Sequence, residues 1–90
     1  MFKFTRTSKF KKDYKRCKKQ DKDLEKFKEI HLLLVAGEIL PEKNKDHYLT
    51  GNWSGFRECH IEPDWLLIYS IDEDNQIIEY VRMGSHSELF

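Results

Sequence analysis

Three short apolar runs follow one another in the C-terminal half of the chain, separated by turns too short to hold a helix. They are Phe56 to Glu62, Trp65 to Ile71 and Gln76 to Met83. Each mixes aromatic and branched residues in the proportion that suits a pleated, half-buried surface. Glu62-Pro63-Asp64 separates the first pair and Asp72-Glu73-Asp74-Asn75 the second. Proline cannot continue a hydrogen-bonded ladder, and the acidic run is turn chemistry. Strands joined this tightly pair antiparallel, so the spacing predicts a three-stranded meander. Such a sheet needs cover on at least one face.

The N-terminal half supplies that cover. Phe2-Lys3-Phe4-Thr5-Arg6 alternates and reads as a short strand. Thr7 or Ser8 offers a hydroxyl cap to a first helix, on which Phe10, Tyr14 and Cys17 share one face. Asp21 is read as the cap of a second helix, whose Leu24, Phe27, Ile30 and Leu34 form a wide apolar face. Gly37 stands where a left-handed C-terminal residue belongs. Residues 38–50 read as loop, and Gly51 to Gly55 as a turn around Trp53. The order β-α-α-β-β-β predicts an α+β fold, a helix hairpin packed on a small antiparallel sheet that the N-terminal strand joins. Ninety residues make a single domain, 1–90.

Composition narrows the function. No apolar run approaches the ~20 residues that span a bilayer, and the N-terminus lacks the apolar core of a signal peptide. A cytoplasmic protein with no membrane partner is expected. Cys17 and Cys59 are far apart and lack metal-type spacing, so both are read as small core hydrophobes. The net charge of zero hides a division. Residues 1–30 carry twelve Lys/Arg against five Asp/Glu, and residues 31–90 carry four against eleven. The basic block is either the footprint of a polyanion binder or a solvated helix face. On the first reading Lys11, Lys12, Lys15 and Lys18 contact the phosphates of such a polyanion. An acidic protein partner competes for the same surface.

The chemically able residues crowd into His47 to Trp65, with His86 close to the end of the chain. Alternation along the first meander strand puts Glu58 and His60 opposite Cys59 and Ile61. If the helices cover Cys59 and Ile61, the open face gathers Glu58, His60 and Arg82, with Asp64 at the adjacent turn. Two imidazoles and a guanidinium are enough to cut RNA. One imidazole takes the 2′-hydroxyl proton, another returns a proton to the leaving 5′-oxygen, and the guanidinium meets the charge growing on the phosphoryl oxygens. His60 or Asp64 is read as base and His86 as acid. A His, Glu and Asp set also suits a metal, but the spacings match no standard zinc pattern, so neither metal nor cofactor is expected. His31, on the second helix, is read as a surface or capping histidine. Trp53 and Trp65 are read as core.

The run Lys45-Asp46-His47-x-Leu49-x-Gly51-x-Trp53-x-Gly55-Phe56-Arg57-Glu58-x-His60-x-Glu62-Pro63-Asp64-Trp65-x-Leu67-Ile68-Tyr69 and the terminal Arg82-x-Gly84-x-His86-x-x-Leu89-Phe90 resemble the YafQ branch of the RelE/ParE toxin superfamily. These stretches cover about half the chain. The resemblance implies a RelE-like fold and the toxin of a type II toxin–antitoxin module. It further implies an endoribonuclease that cuts mRNA, in most members within the ribosomal A site, with no metal and with a cognate antitoxin as partner. By position, His47, His60, Asp64 and His86 match the acid–base residues. Arg82 matches the phosphate-neutralising arginine, and Phe90 the terminal aromatic. Glu58 stands where the pattern has aspartate. The superfamily also contains relatives that poison a protein target such as gyrase and cut no RNA. A simple RNA-binding module built on the lysine-rich helix is a third reading.

Overall fold

A computed structural model describes residues 1–90. In chain order the elements are β1 (Lys3–Arg6), α1 (Ser8–Lys19), α2 (Leu24–Val35), β2 (His47–Tyr48), β3 (Arg57–Glu62), β4 (Trp65–Asp72), β5 (Ile77–Gly84) and α3 (His86–Leu89). Single 3-10 turns at Glu42–Asn44 and Gly51–Trp53 flank β2. The predicted α+β order holds, with the three-stranded meander at its centre.

Three local expectations are corrected. The sheet has five strands in the order β1-β5-β4-β3-β2 and is mixed, because β1 runs parallel to β5. No short turn joins those two strands, so nothing forces them antiparallel. Residues 38–50 are not all loop, since His47 and Tyr48 pair with Glu58 and Arg57 as an edge strand. Finally, α2 is capped by Asp23, whose carboxylate accepts from the Glu25 amide at 3.2 Å. Asp21 instead takes a left-handed backbone, φ 57°, in the turn between the helices. Thr7 caps α1, accepting from the Phe10 amide at 3.0 Å, and Gly37 follows α2 at φ 75°, as read from the sequence.

The main core lies between helices and sheet. Phe10, Cys17, Ile30 and Leu34 meet Cys59, Trp65, Leu67, Tyr69, Ile78 and Tyr80 there. Trp65, Tyr69 and Tyr80 are fully buried, each contributing about 2–3 kcal/mol of transfer free energy. Both cysteines are free and buried, and burial pushes their thiols up, which makes them inert. His31 is not a surface residue. It is half-buried, bonds the Tyr80 hydroxyl at 2.7 Å and meets the Phe4 ring edge-on at 4.7 Å.

The opposite face of the sheet is not bare. Leu66, Ile68 and Leu89 form a second small core with Trp53, Phe56 and Val81 packed around it. The C-terminal turn and the 49–56 segment thus cover part of this face and leave the His60 end of it accessible.

At the far edge, β1 ends opposite Tyr80, and α1 takes over the exposed end of β5. The Thr7 hydroxyl donates to the Val81 carbonyl at 2.7 Å. Asp13 accepts from the Met83 amide at 3.0 Å, and Arg16 donates to the Met83 carbonyl at 2.8 Å. Side chains here satisfy groups that a neighbouring strand satisfies elsewhere.

A bulge on β5 breaks the strict alternation of its side chains, on which Ile78, Tyr80 and Arg82 would share the open face. The pairing with β4 shifts between Ile68 and Tyr69, so Tyr69 faces Tyr80 while Ile68 faces Arg82. Ile78 and Tyr80 therefore point to the helices, whereas Arg82 shares a face with Ile68.

Candidate active site

Glu58 and His60 sit two residues apart on β3, on the face away from the helices. His47 lies directly across from Glu58 on β2. Asp64 sits in the β3–β4 turn, and His86 opens α3. Ser85 caps that short helix through a reciprocal pair with Glu88, which fixes how His86 leaves β5.

Glu58 is buried, with only 5 % of its surface exposed. Its Oε1 lies 3.6 Å from the Nε2 of both His47 and His60. The His47 and His60 rings are 6.4 Å apart, and the His60 and His86 rings 5.8 Å. Phe90 stands 6.4 Å from His86 and 6.0 Å from Trp53, with more than half its surface exposed. The edge strand β2, its neighbour β3, the turn after β3 and the end of the chain thus bring His47, Glu58, His60, Asp64, His86 and Phe90 into one cluster.

All three imidazoles are anchored in the same way. His47 Nδ1 lies 2.6 Å from the Lys45 carbonyl, His60 Nδ1 lies 3.1 Å from the Pro63 carbonyl, and His86 Nδ1 lies 2.8 Å from Asp64 Oδ1. Carbonyl and carboxylate oxygens only accept, so each Nδ1 carries the proton and donates. Each ring then keeps Nε2 as its free nitrogen, with a lone pair in the neutral form and a proton in the charged one. Asp64 also accepts from the His86 amide at 3.0 Å. That amide, followed by the ring Nδ1–H, holds the Asp64 carboxyl below the usual carboxylate range. Asp64 is therefore engaged in holding His86.

Arg82 lies in the same cross-strand row as Glu58, with Ile68 between them. Its guanidinium is held from one edge by Asp13. Nε donates to Asp13 Oδ2 at 2.7 Å and Nη2 to Asp13 Oδ1 at 3.3 Å. Asp13, nearly fully buried on α1, accepts from Arg16 at 2.9 Å as well. Lys11, Lys12, Lys15 and Lys18 are exposed along α1 and form no ion pair.

Sequence reasoning missed the supports. Asp46 accepts from Arg57 at 2.7 Å and from the Tyr69 hydroxyl, which anchors the residue before His47 to the sheet. The buried Asn44 side chain donates to the His60 carbonyl at 2.8 Å. Asp13 binds Arg82. These are short polar residues in a nominal loop or on a basic helix. The burial of Asp13 and Asn44 and the partners of all three are invisible in the sequence.

Glu58, His60 and His86 each offer one donor atom, and the three atoms lie within 4.8 Å of one another. With Nδ1 anchored outside, that set suits a divalent ion as well as it suits proton transfer.

A helix pair on a mixed sheet, with an imidazole–carboxylate centre on the face away from the helices, defines a class of small α+β domain. The family model described as "Bacterial toxin of type II toxin-antitoxin system, YafQ" matches residues 2–90. The mRNA interferase toxin YafQ of Escherichia coli K12 is 40% identical over 82 residues, 90% of this chain and 87% of the relative. A metal-bound toxin from Helicobacter pylori superposes with a TM-score of 0.94 at 41% identity, with both chains fully covered. The Escherichia coli YafQ crystallised in the DinJ–YafQ complex superposes with a TM-score of 0.90 at 36% identity, covering 100% of this chain and 99% of that one. The chain belongs to the YafQ family of bacterial type II toxin–antitoxin toxins.

Proposed function

We propose that this protein is an endoribonuclease that cleaves mRNA by histidine acid–base chemistry without a metal, and so inhibits translation. The observation that carries the reading is the shared anchoring of His47, His60 and His86, each tied through Nδ1 with Nε2 left free. His60, inside the cluster beside Glu58, is the base that takes the 2′-hydroxyl proton. The 2′-oxygen attacks phosphorus, the bond to the 5′-oxygen breaks, and His86 returns a proton to that oxygen. The products are a 2′,3′-cyclic phosphate and a 5′-hydroxyl. Asp64 orients His86 through Nδ1 rather than acting as base itself. Glu58 sits between His47 and His60, its Oε1 3.6 Å from the Nε2 of each. His47 holds the far side of the ribose. Arg82 turns its remaining N–H groups to the phosphoryl oxygens, and exposed Phe90 stacks on a base. The α1 lysines follow the RNA backbone, in keeping with mRNA held in the ribosomal A site.

Membership of a type II toxin family and the DinJ–YafQ complex of the Escherichia coli relative support an antitoxin as the protein partner. No helix is long and apolar enough to cross a membrane, in keeping with a place in the cytoplasm. Incubation with RNA in EDTA, free and on programmed ribosomes, tests the reaction. Fragments ending in 2′,3′-cyclic phosphate are expected. His60→Ala and His86→Ala should each lose at least ~10²-fold, the scale of a missing acid or base. Wild-type rates in both variants end this proposal.

A second reading rests on the three donors within 4.8 Å. A divalent ion seated on Glu58, His60 and His86 takes the nitrogens that proton transfer needs. Added copper or zinc should then inhibit, and EDTA should restore the rate. Loss of cleavage in EDTA alone points instead to a metal-dependent centre.

A further inference from the structure

The turn before β2 touches two of the three histidines at once. Pro41 leads into the 3-10 turn Glu42–Asn44, closed by the Asn44 amide on the Pro41 carbonyl at 3.0 Å and the Lys45 amide on the Glu42 carbonyl at 3.0 Å. Lys45 then adopts φ 46°, ψ 46°, a left-handed conformation that costs a non-glycine residue about 1 kcal/mol or more. That reversal aims the Lys45 carbonyl at His47 Nδ1, 2.6 Å away. Asn44, one residue earlier, buries its side chain to 5 % exposure and donates Nδ2–H to the main-chain carbonyl of His60 at 2.8 Å. The ladder between β3 and β4 shifts register immediately after His60, between His60 and Glu62. The Asn44 amide therefore supplies a fixed partner at the point where the strand bends away.

We infer that Asn44 is a positioning residue that sets the separation and orientation of His47 and His60 across Glu58. It holds the backbone of one histidine to the turn whose next carbonyl orients the other. The residue touches no substrate, and its role rests on the nuclease reading above. Loss of its amide leaves the His60 carbonyl without that donor and frees the Lys45 reversal. The two Nε2 atoms then no longer meet Glu58 together.

The experiment combines kinetics with a spectrum. Asn44→Ala should lower single-turnover cleavage about 10- to 100-fold, the cost of misplacing a catalytic group by an ångström. KM for RNA should change less than the cleavage rate, because the exposed α1 lysines and Phe90 are untouched. In a His60→Ala background the same change should have a clearly smaller effect, since one of the two groups it positions is gone. Full additivity, or a wild-type rate in folded Asn44→Ala, overturns the inference. A readout independent of cleavage is the imidazole nitrogen–proton correlation spectrum. The wild-type protein should show His47 and His60 protonated at Nδ1, and Asn44→Ala should show a mixture of tautomers at one or both. Unmixed tautomers in the variant also overturn it. If wild-type protein cuts no RNA while the tautomers still respond, the nuclease reading fails and the positioning stands. Should Asn44→Ala not fold, Asn44→Ser keeps a hydroxyl but is too short to reach His60, and the same outcomes apply.

Discussion

Arg82 keeps Nε and Nη2 on Asp13 and has only the outer part of its guanidinium left for a substrate. The hydrogen bond to Asp13 holds its pKa above the ordinary arginine value, so it stays charged throughout the working range. Its usefulness depends on the fork: one edge held, the other free. A lysine at this position carries the charge but cannot bind Asp13 and a phosphoryl oxygen together. Arg82→Lys should therefore fold, bind RNA with similar affinity and cleave about 10²-fold more slowly, the scale of one lost transition-state donor. A rate within threefold of wild type indicates that Arg82 serves only to hold α1. At this scale the sequence displayed the right residue types. It held no sign that Asp13, on a helix otherwise crowded with lysine, is the buried acceptor for Arg82, Arg16 and the Met83 amide. A carboxylate among cations reads as surface until its burial is known.

The elements differ in how openly their sequences declare them. β3, β4 and β5 carry their own alternation and turns, and α1 and α2 their own caps, so these five were legible to within a residue or two. The edge strand β2 was not, because two residues paired with Glu58 and Arg57 leave no periodic trace. The bulge at Val81 was equally silent, and it moves Arg82 to the face opposite Tyr80. The four-residue α3 is held less by propensity than by its capping box and by Glu88. That carboxylate accepts from the Ser85 amide at 2.8 Å and from Gln20 at 3.1 Å, and lies 3.1 Å from Arg16 Nε. The Ser85 amide is the main cause holding its pKa below the ordinary 4.5. A depressed carboxyl contributes stability above its unfolded pKa, and that stability is lost as pH falls through the lower folded value. Glu88→Gln keeps an acceptor for the Ser85 amide but loses the charge, and should cost about 0.5–1 kcal/mol at neutral pH. The gap between variant and wild type, followed by thermal melts across the acid range, should close as pH drops below about 4, the ordinary carboxylate range. A gap that persists one pH unit lower shows that shape, not charge, is what Glu88 contributes.

Over the whole molecule, a neutral chain is divided between a basic N-terminal third and an acidic remainder. Lys11, Lys12, Lys15 and Lys18 stand exposed on α1. If they follow a phosphate backbone, replacing all four with glutamate should flatten the dependence of log K on log salt by about 0.7 for each phosphate no longer neutralised on single-stranded RNA. An unchanged slope assigns the surface to the antitoxin or to solubility. The sequence alone determined the β-α-α-β-β-β order, the meander and the residue types at hand, because these follow from local periodicity and turn chemistry. The tertiary structure decided which way each imidazole faces, that Asp64 belongs to His86, that Arg82 belongs first to Asp13, and that a turn read as loop holds two histidines in place. Those outcomes depend on pairings between residues as many as 69 positions apart. Such pairings are set by burial and by the need of every buried polar group for a partner, and no window along the chain records them.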